Sequence, residues 1–71
     1  MNAERLVQMA NDIAAYFHAE PDRVTAVNGI VSHLKRFWDP RMRKKIIEHH
    51  QSGATGLSEL ANAAIHQLTQ Q

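Results

Sequence analysis

Apolar residues recur at spacings of three and four along almost the whole chain, a pattern that favours amphipathic helices packed against one another. The first run predicts a helix over residues 3–19, with Asn2 as its N-cap. Its apolar stripe consists of Leu6, Met9, Ala10, Ile13 and Phe17, with Arg5, Gln8, Asn11 and Asp12 on the opposite side. No segment shows the alternation of a half-buried strand, so the predicted fold class is all-α.

Two proline steps delimit the next two predicted helices. Glu20-Pro21 ends the first helix and lets a second begin, over residues 21–37, because proline suits a first helical turn. Asp39-Pro40 combines a favoured N-cap with a favoured first residue and predicts a third helix over residues 40–52. The stripes expected to face inward are Val24, Val27, Ile30, Val31, Leu34 and Phe37 in the second helix, and Met42, Ile46 and Ile47 in the third.

The last helix follows a short connector. Gly53 suits a left-handed C-cap, and residues 53–56 are expected to form a flexible link. Ser58 then caps a fourth helix over residues 59–69. Its apolar stripe is Leu60, Ala61, Ala64, Ile65 and Leu68. A chain of 71 residues suffices for one domain, so we predict a single helical domain over residues 1–71, a small bundle of about four short helices.

Composition narrows the function classes. No apolar run approaches the roughly 18 residues of a membrane span, and the opening residues Met1 to Arg5 have no secretory pattern. We therefore expect a cytoplasmic protein without a membrane partner. The chain has no cysteine, which excludes disulfides, thiolate zinc sites, cysteine-ligated iron–sulfur clusters and a cysteine nucleophile on this chain.

The net charge of +1 conceals an uneven distribution, because the middle of the chain is strongly basic. Six of the eight basic residues lie within eleven positions: Lys35, Arg36, Arg41, Arg43, Lys44 and Lys45. Asp39 is the only acidic residue among them, and the segments on either side are mildly acidic. This distribution suggests a directed contact with a partner.

Arg43 departs from the polar side of the predicted third helix. At 100° per residue, Arg41, Lys44 and Lys45 share one solvated side, whereas Arg43 falls between the two isoleucines and in line with His50. One interpretation is an arginine whose methylene groups cover the core while its head reaches water. The other is a guanidinium directed at a partner, where it can hold a carboxylate or carbonyl groups.

Trp38 and Gly29 leave similar alternatives. Trp38, at the corner between the second and third helices, is either a packing anchor or an interface residue. Gly29 lies on the polar side of the second helix in line with Thr25, Ser32 and Arg36. It is either the small residue that a closely approaching second chain would require or a surface glycine without such a role. The residues that we predict to bind a partner are Arg36, Phe37, Trp38, Arg41, Arg43, His50 and Gly29.

The five histidines do not predict a metal site. His18, His33, His49, His50 and His66 include no pair at i and i+4, and adjacent histidines on a helix point about 100° apart. The sequence also lacks a phosphate-binding glycine loop, a nucleophile elbow and paired carboxylates. We therefore predict no catalytic, cofactor-binding or metal-binding residue on this chain.

The centre of the sequence carries a specific resemblance. The run His33-Leu34-Lys35-Arg36-Phe37-Trp38-Asp39-Pro40-Arg41-Met42-Arg43 closely resembles the signature of the delta subunits of NAD-dependent formate dehydrogenases. The opening Leu6-Val7-x-Met9-Ala10-Asn11-x-Ile13-Ala14 and the closing Gly56-Leu57-x-x-Leu60 are similar to the same family. One departure is Ser58-Glu59, where the family often has Asp-Pro; both versions place an N-cap before a helix.

The resemblance implies a role in a larger cytoplasmic enzyme. That complex oxidises formate at a molybdenum or tungsten bis-pterin centre and passes electrons through iron–sulfur clusters and FMN to NAD, with all cofactors on other subunits. The implied role of this chain is that of a non-catalytic accessory subunit, which docks on the catalytic alpha subunit and supports assembly or stability. The sequence leaves the metal of the parent enzyme, the stoichiometry and self-association of the isolated chain open.

Two other functions compete with the accessory subunit. A small nucleic-acid-binding protein would use the basic third helix, but the basic residues are few and Glu48 shares their side, so we expect no nucleic-acid partner. A carrier or chaperone for a pterin cofactor would use the same basic residues to hold phosphate groups. The sequence does not exclude this carrier.

Overall fold

A computed structural model describes residues 2–70, which form four α-helices. They are α1 Ala3–Phe17, α2 Arg23–Phe37, α3 Pro40–Gln51 and α4 Glu59–Thr69. No strand occurs between residues 2 and 70, which confirms the all-α prediction. α4 packs against each of the other three helices, and α1 also contacts α2 and α3.

Side-chain caps begin three of the helices where the sequence predicted them. Asn2 Oδ1 accepts hydrogen bonds from the amides of Glu4 at 2.7 Å and Arg5 at 3.3 Å. Asp39 Oδ1 accepts from the second and third residues of α3 at 2.9 and 3.0 Å, and Ser58 Oγ accepts from the third residue of α4 at 3.2 Å. Each cap satisfies amides that have no partner inside the helix.

The turn between α1 and α2 differs from the prediction. α1 ends at Phe17 and not at residue 19, because the amides of His18 and Glu20 bond carbonyl groups three residues back, at 3.3 and 3.0 Å. α2 begins at Arg23 and not at residue 21, because Asp22 is its N-cap. The Asp22 carboxylate accepts a hydrogen bond from the Thr25 amide at 3.0 Å, which leaves Pro21 ahead of the helix.

The core lies between the four helices and contains Trp38. Its buried members are Leu6, Val7, Ala10, Ala14, Val27, Ile30, Val31, Leu34, Trp38, Ile46, Ala61, Ala64, Ile65 and Leu68. Two residues of the predicted α2 stripe do not belong to it, since Val24 is 67% exposed and Phe37 is 66% exposed. Ala26, and not Val24, lies on the inward side of α2. At the corner, Trp38, and not Phe37, is buried in the core.

Asn11 holds the connector between α3 and α4, although the sequence placed this residue on the polar side of α1. Its Nδ2 donates to the Gly56 carbonyl at 2.9 Å, and its Oδ1 accepts from the Ser58 amide at 2.8 Å. Gly53 has a φ of +79°, as predicted for a left-handed C-cap. The connector is thereby tied to α1 just before α4 begins.

Candidate partner-binding surface

Arg43 binds the end of α2. Its Nη1 donates to the carbonyl oxygens of Leu34 at 3.4 Å, Lys35 at 3.3 Å and Trp38. Carbonyl groups at the end of a helix carry partial negative charge, which a guanidinium offsets. The fork that we expected to meet either water or a partner therefore contacts this chain's own backbone, and Arg43 fastens α3 to α2.

Trp38 is also buried in the interior, with only 5% of its surface exposed. It follows the last residue of α2, and its amide bonds the Leu34 carbonyl at 3.1 Å. The packing-anchor interpretation of Trp38 is confirmed. The corner places Trp38 inward and its neighbour Phe37 outward.

The ring of Phe17 on α1 approaches the Gly29 backbone closely. A Cβ atom at Gly29 would lie 2.4 Å from Cε1 of Phe17 and 2.9 Å from its Cδ1. The absence of a side chain on Gly29 lets the Phe17 ring lie directly on the α2 backbone. The close approach that we expected at this position is therefore intramolecular.

His50 joins α3 to α4 through a side-chain contact. Its Nδ1 lies 2.7 Å from Oδ1 of Asn62, and its ring centroid is 5.8 Å from that of His66, edge to face. Residues 2–70 contain no group of three or more histidine, aspartate or glutamate residues placed to hold a metal ion. His50 is half-buried, and its polar contact is internal.

Three predicted partner-binding residues remain on the surface: Arg36, Phe37 and Arg41. Arg36 makes no ion pair with any other described residue. Phe37 stacks at a tilt on His33, with ring centroids 4.7 Å apart. The structure thus divides the predicted set into residues that bind this chain and residues that are available to another.

A groove between α1 and α2 continues the exposed aromatic surface, and sequence reasoning did not find it. We call it the α1–α2 groove; it is lined by Asp12, Ile13, Tyr16, Phe17 and His33. Tyr16 is 80% exposed and meets Phe17 edge to face at 5.2 Å. The available signal was an aromatic residue, Tyr16, outside the apolar stripe of an otherwise regular amphipathic helix.

Charged groups join the start of α2 to the start of α4. Arg23 and Glu59 form a two-bond ion pair between α2 and α4, one bond being Nη1 to Oε1 at 2.9 Å. The hydrogen bonds that Arg23 donates to Glu59 lower the pKa of the Glu59 carboxyl and raise the pKa of the Arg23 guanidinium. Hydrogen bonds from Thr25 lower the pKa of the Asp22 carboxyl. These groups are exposed and fasten the ends of helices.

The interior of the described bundle is apolar. Within residues 2–70, every buried side chain is hydrophobic. A catalytic constellation requires polar groups converging in a pocket, and the lining of the α1–α2 groove has only two charged or ionisable residues, Asp12 and His33, apart from the Tyr16 hydroxyl. None of the four helices described is long and apolar enough to cross a membrane.

Comparison with known proteins gives one match. The model of the family described as NADH-dependent formate dehydrogenase delta subunit FdsD matches residues 5–65 of the chain. No curated protein and no solved structure gives a significant match. The matched segment contains the α1–α2 groove and the corner between α2 and α3.

Proposed function

This chain belongs to the family of NADH-dependent formate dehydrogenase delta subunits, and from that premise we propose that it is a non-catalytic accessory subunit. It docks on the catalytic alpha subunit and supports that subunit's assembly or stability. Membership also agrees with the resemblance carried by the segment from His33 to Arg43.

The observation that carries the proposal is the exposed apolar surface beside a wholly apolar interior. Phe37 is 66% exposed and Tyr16 is 80% exposed, although the bundle buries smaller apolar side chains completely. Clustered exposed aromatic residues mark contact surfaces, because their burial by a partner removes apolar area from water. A subunit that acts by docking requires such a surface and no buried polar site.

The cofactors of the parent enzyme belong, in this proposal, to other subunits. The residues of this chain do not fit them: the sequence has no cysteine for an iron–sulfur cluster, and the described part of the chain has no buried polar side chain to hold a flavin or a pterin. The chain therefore contributes binding surface and no step of electron transfer.

Co-expression tests this role. The alpha subunit is produced with and without the tagged chain, and its soluble yield and co-purification are measured. We expect the alpha subunit to co-purify and its soluble yield to rise when the chain is present. Elution of the tagged chain without the alpha subunit would refute docking, and formate-dependent NAD reduction by the purified chain alone would refute the non-catalytic role.

A further inference from the structure

We infer that the α1–α2 groove and the adjoining Phe37 form the docking site for a segment of the alpha subunit that bears an apolar anchor beside an acidic residue. This inference rests on the proposed function and assigns the surface that performs it. Its elements are Ile13, Tyr16 and Phe17 on α1 and His33 on α2, with the adjoining Phe37 and the exposed cation Arg36 that precedes Phe37 in the sequence.

The surface is continuous across both helices. Tyr16 contacts Phe17, the groove joins Phe17 to His33, and His33 stacks on Phe37. The floor is set by Ile13 and Phe17, both half-buried against the core. An apolar side chain entering this groove would meet three aromatic rings and one aliphatic side chain.

The floor is held in place by the close approach of α1 to α2. Phe17 lies so near Gly29 that even a methyl group there would collide with its ring. The ring is therefore packed on the α2 backbone before a partner arrives, which limits the entropy lost on binding. A groove with a packed floor therefore loses less entropy on binding than two mobile aromatic side chains on the surface would.

The charges of Arg36 and Asp12 indicate which charged residue should lie next to the apolar anchor in the partner segment. Arg36 is exposed beside Phe37 and has no ion pair with the described residues, whereas Asp12 stands on the α1 side of the groove. A partner carboxylate on the α2 side would pair with Arg36, and the same carboxylate placed over α1 would meet Asp12. The two edges thus favour one orientation of an acidic, apolar segment.

Other surfaces of the molecule fit a docking site for such a segment less well. The exposed side of α3 presents Arg41, Lys44 and Lys45 together with Glu48 and has no large exposed apolar residue. Val24 is exposed, but it stands on the other side of α2 from Gly29. The α1–α2 groove has three aromatic rings in its lining, and Arg36, which precedes the adjoining Phe37 in the sequence, has no ion pair with the described residues.

The test uses the full-length chain and a formate dehydrogenase complex that contains the alpha subunit but was prepared without this chain. Affinity is measured for the parent, for Tyr16→Ala with Phe37→Ala, and for Val24→Ala as an equally exposed apolar control. The double variant should bind about thirtyfold more weakly or worse. Its melting temperature should fall by less than about 4 °C, because both side chains are exposed, and Val24→Ala should bind as the parent does.

Charge and neighbour identity give two further readouts. Arg36→Glu should weaken binding about fivefold or more, and Lys44→Glu, a matched reversal away from the groove, should change it little. A photo-crosslinking phenylalanine derivative in place of Tyr16 should form its crosslink with the alpha subunit, near an acidic residue.

The possible results distinguish a wrong groove assignment from a wrong proposed function. If the parent binds and the double variant binds equally well, the groove assignment is overturned while the accessory role stands. Crosslinking to a second copy of this chain or to another subunit also overturns the assignment. If the parent itself does not bind the complex, the proposed function fails and the groove loses its stated occupant.

Discussion

The corner between α2 and α3 and the groove between α1 and α2 both contain aromatic residues near a basic one, but they use them in opposite ways. At the corner, Trp38 is buried and Arg43 bonds the carbonyl groups of α2. In the groove, Tyr16 and the adjoining Phe37 face outward. The same residue types thus build the fold in one region and remain available to a partner in the other.

The difference shows that residue type does not distinguish an internal anchor from a contact residue. An arginine beside a helix end finds strong acceptors within its own chain, because the carbonyl groups at that end carry partial negative charge and can accept a further hydrogen bond. An aromatic residue becomes available only when the geometry of neighbouring helices leaves it outside. The following substitutions test this division, starting with the largest expected effect.

Trp38→Ala should destabilise the fold most, by about 3–5 kcal/mol, because it removes a large buried ring from a small core. That loss is sufficient to unfold much of a domain this small. Phe37→Ala, one residue earlier but 66% exposed, is the control and should change stability by less than about 0.5 kcal/mol. Thermal melts followed by circular dichroism compare them, and equal losses would abolish the distinction between the inner and outer sides of the corner.

Arg43→Ala should lower stability by about 1–2 kcal/mol, because it leaves the carbonyl groups at the end of α2 without their charged donor. Arg43→Lys should recover only part of the loss, since a compact, strongly hydrated ammonium does not replace the guanidinium nitrogen Nη1 that donates to all three carbonyl groups. Arg41→Ala is the matched control on the exposed side of α3 and should have little effect. Urea unfolding measures each, and an unchanged midpoint for Arg43→Ala would return this residue to the partner-binding set.

Asp39→Ala should cost about 1 kcal/mol, the usual loss for an N-cap, because two amides of α3 lose their acceptor. Asp39→Asn keeps an acceptor oxygen and should recover most of that stability. The two variants are compared by thermal melts in the isolated chain. If Asp39→Asn were as unstable as Asp39→Ala, charge and not the cap would be the contribution of Asp39.

Reversing Lys44 and Lys45 to Glu should have the smallest effect, below about 0.5 kcal/mol, because both side chains are exposed on α3. The same variant tests the nucleic-acid alternative. Tight DNA or RNA binding by the parent, steeply salt-dependent and abolished by the reversal, would favour that alternative over the accessory subunit. We expect neither the parent nor the variant to bind nucleic acid tightly.

Local sequence rules predicted the helices more successfully than the surface. Asn2, Asp39 and Ser58 cap helices because their side chains reach amides two or three residues away, a geometry that needs no distant partner. The prediction for α2 was wrong by two residues because Asp22 is a stronger start signal than Pro21. Local competition of this kind shifts a boundary without changing the number of helices.

The candidate site could be predicted only in part. Phe37 and Arg36 were predicted as surface contacts and are exposed. Ile13 was predicted only as part of the apolar stripe of the first helix, and Tyr16 was not predicted as a contact residue. The groove forms where α1 lies on α2, and helix crossing geometry depends on how side chains of both helices fit together. Gly29 illustrates this limit. A glycine within a helix indicated that another group approaches closely, but the sequence did not show that this group is Phe17.

The sequence by itself determined that this protein is a set of amphipathic helices with defined caps and that it belongs to the delta-subunit family, because periodicity, capping and family signatures are properties of neighbouring residues. Only the tertiary structure decided that Arg43 and Trp38 serve the fold while Tyr16 and Phe37 stay outside. The reason is physical: burial and hydrogen bonding between helices depend on distances that close only when all four helices pack together.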